Sequence, residues 1–421
     1  MPSYQILYNG SENICIVNGD GTGKIKLTDD RIDDVSAVWS PDGRKVAFCS
    51  EESYGNWEIY LMNADGTNRI NLTQNAARDT MPVWSPGGSK IAFTSDRPSP
   101  EGWSNRDLYV MNADGTNQKK IDIVPNYYEW LSDKQIITAN DYSGPTNYFT
   151  IYDLESSQKK DIMIPLTLDS GGLAVNDERF FNVSPDGNKL AFIYHDNIYS
   201  MDLNGSNLNC LTDFGDTSSP IWSPDGKKIL FVSFNYTVFG REDKEIWVMN
   251  ADGTGKKRLT NNDVDDISPS WSADGSKITW QSNGQIYVMN SDGSGQKELT
   301  NEGYNSDPVW KPLGYLGTSG DDTIIGENSN DVLKGLAGND TLNGLGGNDT
   351  LDGGDGDDIL DGGAGADTLL GGAGNDIIIY DNADILVNGG SGNDTLDASQ
   401  QKGAVTIDLT QNKYVEIETV L

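Results

Sequence analysis

Short apolar runs alternate with polar turns along the first 313 residues, and no stretch sustains the 3.6-residue apolar period of a helix. KVAFCS (45–50), KIAFTS (90–95), KILFVS (228–233) and KITWQS (277–282) carry the β-branched and aromatic residues of buried strands. EIYLMN, DLYVMN, EIWVMN and QIYVMN alternate in the same way and run into Asn-Ala-Asp-Gly or Asn-Ser-Asp-Gly. Asp-Gly marks a tight turn, because glycine takes positive φ without steric cost. The pattern predicts strands throughout and little helix.

These pieces recur as one unit: Pro–x–Trp–Ser–Pro–Asp–Gly, a Lys–Ile–Ala–Phe strand, an Ile–Tyr–Val–Met–Asn–Ala–Asp–Gly–Thr strand and turn, then Leu–Thr. The tryptophan or its equivalent falls at Trp39, Trp84, Trp130, Val183, Trp222, Trp271 and Trp310. That spacing suits four short strands per unit, the arrangement of a β-propeller blade. The last copy, DPVWKP (307–312), has no strands after it, whereas the N-terminus supplies three: YQILYN (4–9), NICIVN (13–18) and KIKLT (24–28). Joining the two ends completes a seventh blade and closes the ring, which removes free sheet edges. Copies three and four (EWLSDKQIITAN and FNVSPDGNKLAFIY) are degenerate, so six or eight blades are also compatible with the pattern.

From Gly317 to Asp397 the period changes to nine. GTSGDDTII is followed without a slip by GENSNDVLK, GLAGNDTLN, GLGGNDTLD, GGDGDDILD, GGAGADTLL, GGAGNDIII, the degenerate YDNADILVN and GGSGNDTLD. Position six is Asp322, Asp331, Asp340, Asp349, Asp358, Asp367, Asp376, Ile385 and Asp394. Position eight is always aliphatic, from Ile324 to Leu396. The glycine-rich half must turn tightly, and the other half forms a short strand with its aliphatic inward. Two units make an 18-residue coil, which places Asp340 over Asp358. Their carboxylates and the loop carbonyls offer the hard oxygens that Ca²⁺ takes, while Mg²⁺ requires a stricter octahedron. The eight aspartates at position six are the candidate metal ligands, for several ions.

The fold expected is therefore all-β, a seven-bladed propeller (1–313) followed by a right-handed parallel β-roll (314–421). Composition changes at the same boundary. From Gly314 to Leu421 there are 20 acidic residues against 3 basic ones, and 22 of the chain's 48 glycines. The net charge of −34 disfavours nucleic acid and anionic membranes and favours cations. With one aliphatic per nine residues and like charges stacked along each edge, the tail is expected to be disordered without calcium. No apolar run approaches the roughly 20 residues of a membrane helix. MPSYQILYNGSEN lacks the basic and apolar regions of a cleaved signal peptide. Cys15, Cys49 and Cys210 sit in apolar runs and read as buried thiols.

The WSPDG…IYVMNADGT…LT unit resembles the propeller repeats of TolB, the periplasmic propeller family of the Tol system, and those of the prolyl oligopeptidase class. TolB proteins have six such blades and an N-terminal α/β domain, and the present chain departs from both features. The nonapeptides resemble the RTX, or haemolysin-type, calcium repeat; AVTIDL and VEIETVL look like the strands that cap such rolls. That resemblance implies calcium binding, an extracellular location and export by type I secretion.

Catalytic signals are sparse. His195 is the single histidine, so neither a Ser-His-Asp triad nor a multi-histidine metal centre can be assembled. No G-x-S-x-G elbow, P-loop or dinucleotide fingerprint occurs. The blade tryptophans read as wedges between sheets, and the WSPDG and NADGT aspartates as turn formers. Acids five residues before the blade-start position (Asp34, Asp79, Glu178 and Asp266, with Asp216 and Asp307 nearby) form a candidate rim for a cation or a basic partner segment. Solvated loop charges are the plainer account. The expectation is a secreted, non-catalytic calcium-binding protein whose propeller holds a protein or glycan partner; the alternative is an extracellular hydrolase or lyase working in the channel.

Overall fold

The computed structural model describes residues 5–29, 32–98, 106–121, 123, 125–140, 148–164, 180–213, 215–236, 242–312, 317, 320–326, 331–379, 381–399 and 414–421. Every regular element among them is a strand. Seven four-stranded antiparallel sheets follow one another, and two parallel sheets of six and five strands complete the chain.

The seventh sheet takes its innermost strand, Asn305–Trp310, from the end of the propeller and its other three, Gln5–Gly10, Asn13–Asn18 and Ile25–Lys26, from the N-terminus. Ile6 pairs Trp310 and Gly10 pairs Asn305, so the ring is closed by main-chain hydrogen bonds between the chain ends. The seven-blade expectation holds, and both degenerate copies build full sheets.

Each part of the repeat has a packing duty. Trp39, Trp84, Trp130, Trp222, Trp271 and Trp310 are all buried. Three of the indoles also donate to a carbonyl of the preceding blade's inner strand: Trp130 to Val83 at 3.1 Å, Trp222 to Asn182 at 3.2 Å and Trp271 to Ile221 at 3.3 Å. A Leu–Thr pair follows the outermost strand in five blades, beginning at Leu27, Leu72, Leu211, Leu259 and Leu299. All of these leucines but Leu27 are buried, and the threonine Oγ1 accepts an N–H of the third strand, as Thr260 does from Ile246 at 2.9 Å. The turn aspartates bond locally, Asp65 accepting the Thr67 N–H at 2.9 Å and the Thr67 hydroxyl at 2.6 Å.

Inner strands carry a repeated kink. Ser36, Met81, Ser219, Ser268 and Asp307, each the third residue of its strand, have φ between 49° and 59°. The ladder shifts register there in the blades of Asp34, Asp79, Thr217 and Asp266. A bulge of this kind re-aims the strand toward the channel.

Cys15 and Cys49 are buried free thiols, as expected. Cys210 is not: it lies on the two-residue outermost strand Asn209–Cys210, where both residues are exposed. An apolar-looking run at the outer edge of a blade has no sheet beyond it to cover it.

Thr260 is tied twice, accepting from Ile246 N–H and donating to Glu245 Oε2 at 2.6 Å. Thr260→Val keeps the shape and removes both bonds within a buried site. The expected loss is about 1–3 kcal/mol of propeller stability, read as a lower urea midpoint with an unchanged slope.

Candidate metal centre

In the roll, strands repeat every 18 residues. Thr341 pairs Ile359, which pairs Ile377 on one face; Val332 pairs Thr350, which pairs Thr368 on the other. The position-eight aliphatics from Ile324 to Leu396 form a single core row between the faces. The loops therefore stack along two edges, and the position-six aspartates stack with them.

The stacking is direct. Asp358 Oδ1 accepts the Asp340 N–H at 2.7 Å, Asp367 Oδ1 that of Asp349 at 2.7 Å, and Asp376 Oδ1 that of Asp358 at 2.9 Å. Asp340, Asp349 and Asp394 serve Asp322, Asp331 and Asp376 in the same way. Glu418 Oε2 takes the corresponding place for Asp394 N–H at 2.7 Å, ending that edge with a glutamate the nine-residue pattern did not mark.

One oxygen of each carboxylate is thus spent on the backbone. The other, Oδ2 of Asp340, Asp349, Asp358, Asp367, Asp376 and Asp394, is buried and accepts no hydrogen bond. All six side chains lie in residues no more than 2% exposed. The glycine at position one explains the space in front of them. A Cβ added at Gly335 would stand 2.1 Å from Asp340 Oδ2 and 2.4 Å from the Gly353 carbonyl oxygen. At Gly371 the corresponding distances to Asp376 Oδ2 and Gly389 O are both 2.3 Å. A carboxylate oxygen and a carbonyl of the next coil converge where a side chain is missing. Buried anionic oxygens without donors require a cation or a proton.

The donor chemistry suits calcium. No three His, Cys, Asp or Glu side chains cluster among the described residues, so a zinc-type centre is not formed by them. Each step offers carboxylate and main-chain oxygens, the hard set that Ca²⁺ gathers in groups of about six to eight. Burial raises the carboxyls of Asp340, Asp349 and Asp376 to about 6, with neighbouring aspartates adding to the effect. Asp358, Asp367 and Asp394 are raised for the same first reason.

The degenerate unit holds a residue that the pattern missed. Ile385, at position six, is exposed, and Asp384 turns inward in its place and is buried. Burial, then Asp367 and Asp381, push its carboxyl up to about 7. The signal was legible only as an acid one place early in a unit whose glycines are gone.

The propeller acids are arranged differently. Asp34 pairs with Arg69 at 3.1 Å and Asp79 with Arg97 at 2.8 Å, both aspartates being buried at the start of an inner strand. Arg69 lies over Tyr60 and Phe48, and Arg97 over Tyr109 and Phe93. Asp266 accepts from Asn262 Nδ2 at 2.8 Å, and Asn262 N–H donates to Glu245 at 3.0 Å. Asn75 bridges Glu58 and Asp79 likewise. These acids are buried and do not form a solvated rim: Asp34 and Asp79 pair with arginines of their own blades, while Asn75 and Asn262 link Asp79 and Asp266 to a glutamate of the blade before. Glu178 lies outside the described residues. Asp307 does reach the channel, accepting from Asn9 at 3.0 Å and from Ser268 at 3.3 Å. Asp216, with φ 49°, accepts the Phe234 N–H at its carbonyl. His195 is half-buried in a hairpin turn with its ring stacked on Tyr194 at 4.4 Å.

A β-propeller joined to a calcium-binding β-roll is the class that this fold and these loops define. Family comparison agrees on both halves: the chain carries a TolB beta propeller domain over residues 181–318 and RTX calcium-binding nonapeptide repeats over 316–351, 343–378 and 386–401. Among curated relatives, the Tol-Pal system protein TolB of Anaeromyxobacter dehalogenans is 45% identical over 51 residues, 12% of this chain and 11% of that protein. Dipeptidyl-peptidase 5 of Porphyromonas gingivalis is 37% identical over 62 residues, 14% of this chain and 9% of that protein. The chain thus spans about a tenth of the length of either. Of solved structures, TolB from Acinetobacter baumannii is 20% identical with a TM-score of 0.45, covering 73% of this chain and 66% of that one. An oligogalacturonate lyase in complex with manganese is 16% identical with a TM-score of 0.47, covering 70% and 84%.

The raised carboxyls fix the sign of a pH dependence. Aspartate in an unfolded chain titrates near about 3.9, so the calcium-free folded roll binds more protons than the unfolded tail. Its stability is fullest below that value and is lost as pH rises through about 6 to 7. Calcium must displace those protons. Calcium affinity is therefore expected to fall when pH is lowered from 7.5 to 5.5, with proton release on binding. Calorimetry in buffers of different ionisation enthalpy measures both.

Proposed function

We propose that the protein is a secreted calcium-binding protein in which several ions fold the roll and a non-catalytic propeller presents a surface to a protein or glycan partner. The observation that carries the calcium assignment to particular residues is the row of six buried, unpartnered Oδ2 atoms on Asp340, Asp349, Asp358, Asp367, Asp376 and Asp394. Asp322 and Asp331 complete the set at the first coil, where they are half-buried. Open-loop oxygen sites of this kind bind in the range of about 10⁻⁴–10⁻³ M, which is filled outside cells and not inside them. That range, and the RTX repeats themselves, support secretion, with type I export as the route. No helix among the described residues is long and apolar enough to cross a membrane.

The partner surface is best placed at the channel, where the kinked residues Ser219, Ser268 and Asp307 meet Lys244, Gln281 and Tyr304 around a cavity of about 410 Å³. Hydroxyls, an amide, a cation and an exposed aromatic suit a sugar or a peptide backbone. Binding is favoured over catalysis because Asp34, Asp79 and Asp266 are buried and held by Arg69, Arg97 and Asn262, which leaves Asp307 as the acid lining this cavity.

Two measurements test these readings. Millimolar Ca²⁺, and not Mg²⁺, is expected to increase the β signal in circular dichroism of the full chain; an Asp358→Asn/Asp376→Asn variant should need several-fold more calcium. An equal response to both ions would remove the calcium assignment. For the propeller, glycan and peptide arrays probed with the calcium-loaded protein should give a ligand whose binding weakens about tenfold or more in Tyr304→Ala.

A further inference from the structure

The calcium reading leaves one step of the roll unexplained. Along the edge that carries Asp331, Asp349 and Asp367, the next acid in register would be residue 385, which is isoleucine with its side chain in solvent. The strand that follows is nevertheless in register, Leu386 pairing Thr368 and Val387 pairing Leu369. The loop before it is rebuilt by a turn in which the Asp381 carboxylate accepts the Ala383 N–H at 2.8 Å and the Asp381 carbonyl accepts the Asp384 N–H. Ile385 and Leu386 then both donate to the Asp367 carbonyl, at 2.7 and 3.3 Å. This turn drives Asp384 inward and Ile385 outward.

Asp384 differs from every other aspartate in the row. At the regular steps one carboxylate oxygen is occupied by a main-chain N–H, whereas both oxygens of Asp384 are buried and accept no hydrogen bond. The residue is 4% exposed and lies close enough to Asp367 for the two carboxyls to act on each other, and Asp367 Oδ2 is likewise buried and unpartnered. Two buried carboxylates therefore lie at one loop with three oxygens that accept no hydrogen bond. Like charges so placed repel strongly unless a cation or a shared proton lies between them.

We propose that Asp384 and Asp367 together form a calcium site of their own, a two-carboxylate step that closes the second edge of the roll where the nine-residue motif fails. It rests on the calcium reading above but makes a separate demand: an ion is held by a residue outside the repeat. The opposite edge ends in a similar departure from the motif, with Glu418 standing over Asp394. Each edge thus carries, among the described residues, an acid that the repeat does not supply.

The test counts ions on the full chain, by equilibrium dialysis with radioactive calcium at pH 7.5. Wild type, Asp384→Asn and Asp384→Glu are compared. The expected result is one Ca²⁺ fewer per chain in Asp384→Asn, and the wild-type number in Asp384→Glu, which keeps the charge. An unchanged count in Asp384→Asn overturns the proposal and points to a proton shared by the two carboxyls. An equal loss in both variants also overturns it, because the loop's shape and not its charge would then be at issue. Wild type that binds no calcium would instead remove the broader reading.

Discussion

Everything in the roll follows from one oxygen per nine-residue unit, two per coil, that has no donor. The 18-residue repeat commits Oδ1 of each aspartate to the N–H of the residue one coil away, and burial denies Oδ2 water. An ionised carboxylate in that position is costly, and the cost recurs at six residues. The aliphatic row from Ile324 to Leu396 contributes one buried side chain per nine residues, too little to offset both that cost and chain entropy. A divalent cation at the loop reverses the sign, turning the repulsive column into a ligand set. Protonation does the same more weakly. Proton and calcium therefore compete for the same oxygens.

The propeller solves the same problem with protein groups. Its buried acids are also near the starts of strands, but Asp34 and Asp79 have arginines that cross the sheet face over aromatic rings to reach them. Glu58 and Glu245 are satisfied by the threonine of the Leu–Thr pair and by an asparagine two residues on. Those donors are built into the repeat, although Asp79 and Asp266 each keep one buried oxygen that accepts no hydrogen bond. The difference between the two halves is that Asp34 and Asp79 of the propeller have arginine partners in the chain, whereas the row of Oδ2 atoms in the roll has no donor.

That contrast also sets what could be read from sequence. The blade count and the ring closure were legible, because Trp, Asp-Gly and Leu–Thr recur with a spacing that only four short strands satisfy. The aspartate column was legible because glycine and an aliphatic hold its register. The misreadings share a cause. Asp34, Asp79 and Asp266 looked like a rim because period alone shows which side of a ring a residue takes, and not that Arg69 or Asn262 reaches it there. Cys210 looked buried because a two-residue outer strand leaves no mark of its position at the edge. Asp384 was passed over because a turn displaced it by one place, and a register argument has no way to follow such a displacement.

The join between the halves gives these differences a consequence. The roll follows the strand Asn305–Trp310, whose pairing with Gln5–Gly10 closes the ring. Lys311 N–H still bonds the Gln5 carbonyl at 2.7 Å, and Arg44 of the first blade donates to the carbonyls of Ile325 and Gly326 at 3.2 Å. The ring's closing hydrogen bonds lie before this junction and use no roll residue, so they persist whether or not the loops beyond hold calcium. The Arg44 contacts lie past it and depend on the first coil being wound. The Arg44 contacts therefore belong to the first coil of the roll, while the propeller's closure rests on pairing between its own chain segments alone.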